Sequence, residues 1–222
     1  VSRHNVQCCP ETLLSELDHE AEVLWLTRGR IHERHGRNEE AIRLLDRSLE
    51  LQPGYADARK LRGRVHEKLG NLDAAVADYT RWTRLEPDDK EAWKSLADVY
   101  YRLEQYEAAV DCASQALRID PKDASVLWKG ASSNYRLKRY ADAARDYEAY
   151  AKLRPDVPNP WQGCGQACSR LGQYDRAVGY FTRALEIDPD YAPAYEYRAY
   201  AHYMLGWNEP AVRDATRAIE LE

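Results

Sequence analysis

The sequence predicts an all-α solenoid of about six helix-turn-helix repeats. Two observations predict it: five prolines recur at one interval, and small residues recur at fixed places between them. Pro53, Pro87, Pro121, Pro155 and Pro189 lie 34 residues apart without insertion, in similar contexts such as LELQPGY and LEIDPDY. With those prolines at position 32, the frames cover 22–55, 56–89, 90–123, 124–157, 158–191 and 192–222. Self-similarity at such a period is the signature of stacked repeats.

Each element follows from the residues at its place in the frame. Position 20 is Ala41, Ala75, Ala109, Ala143, Ala177 and Ala211, and position 8 is Gly29, Gly63, Ala97, Ala131, Gly165 and Ala199. Small residues at facing places let two helix backbones approach closely. Position 15 is Gly36, Gly70, Gly172 and Gly206 in four frames, where a left-handed cap ends the first helix. The position-32 proline follows the second helix and cannot continue it. One hairpin cannot bury its apolar stripe, so neighbours stack and share a continuous core.

Two places show volume being traded. Position 4 reads Trp25, Arg59, Trp93, Leu127, Trp161 and Tyr195, while position 27 reads Ser48, Trp82, Ala116, Tyr150, Ala184 and Ala218. Frames without an aromatic at 4 carry one at 27, as near-constant packing density requires where the two helix ends meet. Residues 1–21 do not fit the frame. The stretch 10–20 has Pro10 at a helix start and an apolar stripe of Leu13, Leu14 and Leu17. It reads either as a short helix capping the first hairpin or as the remnant of an upstream region.

Composition narrows the function. The net charge of -5 and pI of about 5.8 argue against wholesale nucleic-acid binding, which needs a concentrated basic face. No apolar run is long enough to span a membrane, and no signal peptide is visible in a chain that begins with Val1. Five cysteines, Cys8, Cys9, Cys112, Cys164 and Cys168, lack a disulfide spacing and favour a reducing, cytoplasmic setting.

The chemistry-bearing residues read mainly as packing. Cys164 and Cys168 lie one helical turn apart at positions 7 and 11, and a cysteine buried in a helix core behaves as a small hydrophobe. His32, His66 and His202 all occupy position 11, and no carboxylate or cysteine completes a ligand set around them. His4, Cys8 and Cys9 form a weak metal motif in the N-terminal tail. No nucleophile motif, phosphate loop or zinc-hydrolase helix is present. The expectation is a protein without catalytic activity, metal or cofactor.

The frame from Lys90, with Trp93, Leu96, Ala97, Tyr100, Ala109, Ala116 and Pro121, resembles the tetratricopeptide repeat family. The frame from Pro158 adds Trp161, Gly165, Tyr174, Ala177, Phe181, Ala184 and Pro189. The resemblance covers roughly 22–222 and implies a right-handed superhelical solenoid. It also implies that first helices line a concave groove through positions 2, 5, 6, 9, 12 and 13.

Carried onto this sequence, the groove candidates are Arg30, Lys60, Arg64, Lys94, Tyr101, Arg102, Trp128, Lys129, Tyr135, Arg136, Arg170 and Tyr200. Further groove positions hold Glu33, Asp57, Glu67, Asp98, Glu196, Tyr197 and Tyr203. Position 13 is basic in five consecutive frames, Arg34, Lys68, Arg102, Arg136 and Arg170, and two readings of it stand. The cations either form a ladder for acidic groups or complement the helix C-terminal dipole.

One variant of the family clamps a chaperone C-terminal carboxylate with Lys at position 5 and Asn at position 9. Here Lys60 and Lys94 are followed by Arg64 and Asp98, and position 6 holds no Asn, so that clamp is absent. The sequence therefore leads to a scaffold that binds another protein or peptide bearing acidic and aromatic or aliphatic residues. Self-assembly, or service as a targeting domain of a longer protein, remains the alternative, and RNA binding through the basic ladder ranks behind both.

Overall fold

The computed structural model describes residues 10–221, with side chains from residue 21. Among them there are twelve helices and no strand. They are α1 (Pro10–Arg34), α2 (Asn38–Leu51), α3 (Ala56–Lys68), α4 (Leu72–Leu85), α5 (Lys90–Arg102) and α6 (Tyr106–Ile119). Then come α7 (Ala124–Arg136), α8 (Tyr140–Leu153), α9 (Pro158–Arg170), α10 (Tyr174–Ile187), α11 (Ala192–Met204) and α12 (Asn208–Glu220). The helix of the first hairpin begins at Pro10, upstream of the Glu22 frame start. His4, Cys8 and Cys9 lie outside the described residues, as do the side chains of Leu13, Leu14 and Leu17.

The turn inside each hairpin uses one backbone device. Gly36, Gly70, Gly172 and Gly206 have φ between 71° and 77°, the left-handed conformation expected of position 15. The same position in the third and fourth hairpins is Glu104 at 59° and Lys138 at 61°. Those two turns adopt the left-handed conformation with a side chain in place. At the other end, Asp123 caps α7 by accepting from the Ser125 and Val126 amides at 3.0 and 3.2 Å.

The chain divides into two compact units, Val1–Val99 and Tyr100–Glu222. In the first, α1 packs on α2, α2 on α3 and α3 on α4, and α1 also touches α3. Its core gathers Leu26, Ala41, Leu45, Leu49, Ala58, Leu61 and Val65. In the second unit, consecutive helices from α6 to α12 pack on one another, and α9 touches α11. Its core runs through Ala131, Ala143, Tyr147 and Cys164, then Cys168, Ala177, Phe181 and Ala201, then Ala184, Leu185 and Ala194. Within each unit, first helices of adjacent hairpins are thus neighbours at α1 and α3 and at α9 and α11, which places their exposed faces side by side.

The position-8 residue matches the ring opposite it. A Cβ added at Gly63 would meet Tyr79 Cε1 at 2.5 Å, and one at Gly165 would meet Phe181 Cε1 at 2.5 Å. The aromatic at position 24 fills the notch that the glycine leaves. Trp82 is 1% exposed, with its indole N–H donated to Glu86 at 2.9 Å, and Arg59 beside it turns to Asp78 at 3.0 Å. Where position 27 is small, Ser48 donates to the Glu22 carbonyl at 2.9 Å.

Two hairpins also contain a buried ion pair between positions 7 and 23. Arg62 grips Asp78 through Nε and Nη2 at 2.8 and 2.7 Å and reaches Asp46 of the preceding hairpin. Arg198 grips Asp214 through the same two nitrogens, both at 2.7 Å, and donates to Thr182 of the preceding hairpin at 3.1 Å. A bidentate pair of this kind holds both partners in register, and removing one would strand a buried charge.

Candidate functional site

In the first unit, the facing sides of α1 and α3 form a shallow cavity of about 320 Å³. Arg30, Arg34, Asp57, Lys60, Leu61 and Arg64 line it. Helical spacing brings them together, because positions 5, 9 and 13 lie one turn apart on a single face. Two of its four cations, Lys60 and Arg64, already have partners in the chain. Glu33 is buried and paired with Lys68 and, at 3.3 Å, with Arg64. The Lys68 hydrogen bond, with the charges of Arg64 and Lys68, holds the Glu33 carboxyl below its ordinary range against the opposing effect of burial. Lys60 lies over the Trp82 ring, 4.7 Å from its centroid. Lys94 pairs with Glu91 at 3.8 Å, at the start of α5. The basic ladder is therefore partly neutralised in this unit.

In the second unit, the first helices of the fourth, fifth and sixth hairpins enclose a cavity of about 490 Å³. Tyr135, Arg170, Tyr197 and Tyr200 line it, together with Glu196, Gln166, Ser169 and Tyr174. Arg170 Nε donates to the Tyr135 hydroxyl at 3.3 Å. Tyr174 meets Tyr200 edge to face at 6.3 Å, and Tyr200 is 52% exposed. The lining combines aromatic walls with one guanidinium, one carboxylate and one amide, the composition that anchors interfaces. Gln166, Ser169 and Tyr174 were absent from the sequence-based candidates. The amide and hydroxyl lie at groove positions 9 and 12, and a polar rule would have included them. Tyr174 lies at position 17 on the second helix, where no groove rule looks.

The remaining candidates lie elsewhere in this unit. Lys129 sits over the Tyr101 ring at 4.8 Å, and the nearby Tyr101 side chain raises Arg136 above its ordinary range. Arg102 is exposed. Trp128 is half-buried and packs edge-on against Tyr147 and Tyr150, at 5.3 and 5.8 Å. Its ring belongs to the packing between α7 and α8.

Cys112, Cys164 and Cys168 are free thiols and all are buried. Burial pushes Cys112 and Cys164 up to about 12 and raises Cys168, so the nucleophilic thiolate is suppressed. Burial likewise lowers His66 and His202 toward the neutral imidazole. Among the described residues, no group of three His, Cys, Asp or Glu side chains is placed to hold a metal ion. None of the described helices is long and apolar enough to cross a membrane.

Comparison with known proteins places this geometry. Models of the tetratricopeptide repeat match residues 26–90, 68–124, 94–158 and 158–191. No curated protein matches the chain in sequence. Among solved structures, MamA from Desulfovibrio magneticus RS-1 is similar with a TM-score of 0.70 at 18% identity, over 75% of this chain and 94% of that one. YrrB, a tetratricopeptide protein with an unusual peptide-binding site, has a TM-score of 0.71 at 19% identity, over 80% and 92%. PilF from Pseudomonas aeruginosa has a TM-score of 0.65 at 17% identity, over 92% and 93%. At these identities the likeness is one of fold.

Proposed function

The chain belongs to the tetratricopeptide repeat family, and on that footing we propose that it is a non-enzymatic scaffold that binds a partner segment along its first helices. One observation carries this reading: the cavity of Tyr135, Arg170, Tyr174, Tyr197 and Tyr200, which has aromatic walls and a cation within hydrogen-bonding reach. Tyrosine supplies contact area at low entropic cost, and the guanidinium takes a carboxylate. The partner accordingly carries an acidic residue beside an aromatic or aliphatic one, and enters as a strand or helix. YrrB, similar in fold, is a peptide binder and supports the same reading.

The test uses the intact chain as bait in cell extract, beside a Tyr200→Ala/Arg170→Glu double variant. Both residues are exposed, so the variant keeps its helicity. A partner retained by the native chain and lost by the variant is the expected result. Partners recovered equally by both would remove the tyrosine cavity as the binding surface. Trp128→Ala is a poor probe, because its ring supports the α7–α8 contact.

A second reading, self-association through the last hairpin, has its own observation. Val212 and Ile219 on α12 are 66% and 73% exposed. Beside them lies a mainly apolar cavity of about 490 Å³ lined by Ala192, Pro193, Ala199, Ala215, Ala218 and Ile219, with Glu196 as its one charged residue. Apolar side chains this exposed, beside an apolar depression, suit a protein contact.

A further inference from the structure

We propose that the cavity over Gly130 is a receptor for an arginine side chain of a partner protein. The cavity measures about 660 Å³ and shares no lining residue with the tyrosine cavity. Its floor is Gly130 and Asn134 on α7, and its walls are Ser114 on α6 and Asp146 on α8.

The repeat itself shows what such a place holds. Three hairpins carry an aspartate at position 23: Asp78, Asp146 and Asp214. In the second and sixth hairpins, position 7 supplies Arg62 and Arg198, each gripping its aspartate with two nitrogens. In both, the guanidinium's third contact is position 25 of the preceding hairpin, Asp46 or Thr182. The fourth hairpin keeps the aspartate, and Ser114 stands at position 25 of the hairpin before it. Only the arginine is missing, and Gly130 stands in its place. A Cβ there would meet nothing nearer than Ala113 Cβ at 3.6 Å and Asp146 Oδ2 at 3.9 Å, which is ordinary contact. The acceptors persist, and the space that an internal arginine would fill is open.

The present partners of Asp146 compensate it less well. Asn134 donates to Oδ2 at 3.0 Å, and Arg145 reaches Oδ1 at 3.4 Å from a side chain that is 69% exposed. Arg145 also pairs with Asp142 at 2.9 Å. Burial raises the Asp146 carboxyl above its ordinary range in spite of Arg145. A guanidinium entering from outside would supply the fork that Arg62 supplies to Asp78. Arg118, Arg139 and Arg145 also line the cavity beside Asp142, and Arg118 is held by Gln115 at 2.6 Å. Their charge opposes any cationic guest, so the guest must offset it with directed bidentate bonds to Asp146, which arginine makes and the point charge of lysine does not.

The probe is N-acetyl-arginine-methylamide, titrated into the full ¹⁵N-labelled chain with the lysine analogue beside it. Expected are saturable shifts of the Gly130 and Asn134 amides with arginine, about tenfold weaker with lysine or with Asp146→Asn. Gly130→Arg should abolish binding by filling the site from within. It should also raise Tm, and by more in the native background than with Asp146→Asn, since part of any gain is helix propensity alone. Three results would each overturn the proposal: no shift at Gly130, an equal response to lysine or in Asp146→Asn, or a Tm change that ignores residue 146.

Discussion

Glu104 and Lys138 each hold a left-handed backbone with a side chain attached, where four sister turns use glycine. An L residue at such a φ gives up about 1 kcal/mol relative to glycine, partly offset by the extra freedom glycine has when unfolded. Glu104→Gly and Lys138→Gly should therefore each raise stability by up to about 1 kcal/mol, read from denaturant midpoints. The two effects should add, because the turns lie in different hairpins. A decrease at either position would mean that the native side chain makes a contact outweighing its backbone cost.

At the scale of the element, the hairpin is defined by how closely its two helices approach. Gly165→Ala puts a methyl into the face of Phe181 and should cost about 1–3 kcal/mol. Shrinking the ring with Phe181→Leu should make the same alanine cheaper, and a double-mutant cycle measures that coupling. This part of the design was open to reading in the chain because it repeats. Positions 8, 15, 20 and 32 state the same local rule frame after frame, so chance agreement averages away. The candidate site was less legible because it depends on what differs between frames. Nothing in the residue type of Arg64 or Lys68 says that both face Glu33, one repeat upstream. Trp128 sits at a groove position, yet its neighbours Tyr147 and Tyr150 are large enough to draw its ring into the hairpin. Tyr174 comes from the second helix and reaches the cavity through Tyr200.

For the whole molecule, each unit is held by contacts between helices near in sequence, so surfaces can be altered one hairpin at a time. If the last hairpin mediates association, native chain should sediment as a larger species as concentration rises, and Val212→Asp/Ile219→Asp should stay monomeric. A native chain that is monomeric throughout would leave the α12 face without that role. The buried thiols have a further use. Cys112 lies in the third hairpin, and Cys164 and Cys168 in the fifth, all shielded from solvent. An alkylating reagent can reach them only when a helix lifts away, and its rate at each sulfur is a clock for that opening. The chain thus carries its own reporters in two hairpins, with no label to engineer. Comparing the rates in the two hairpins with and without a bound partner would show which stretch the partner clamps shut.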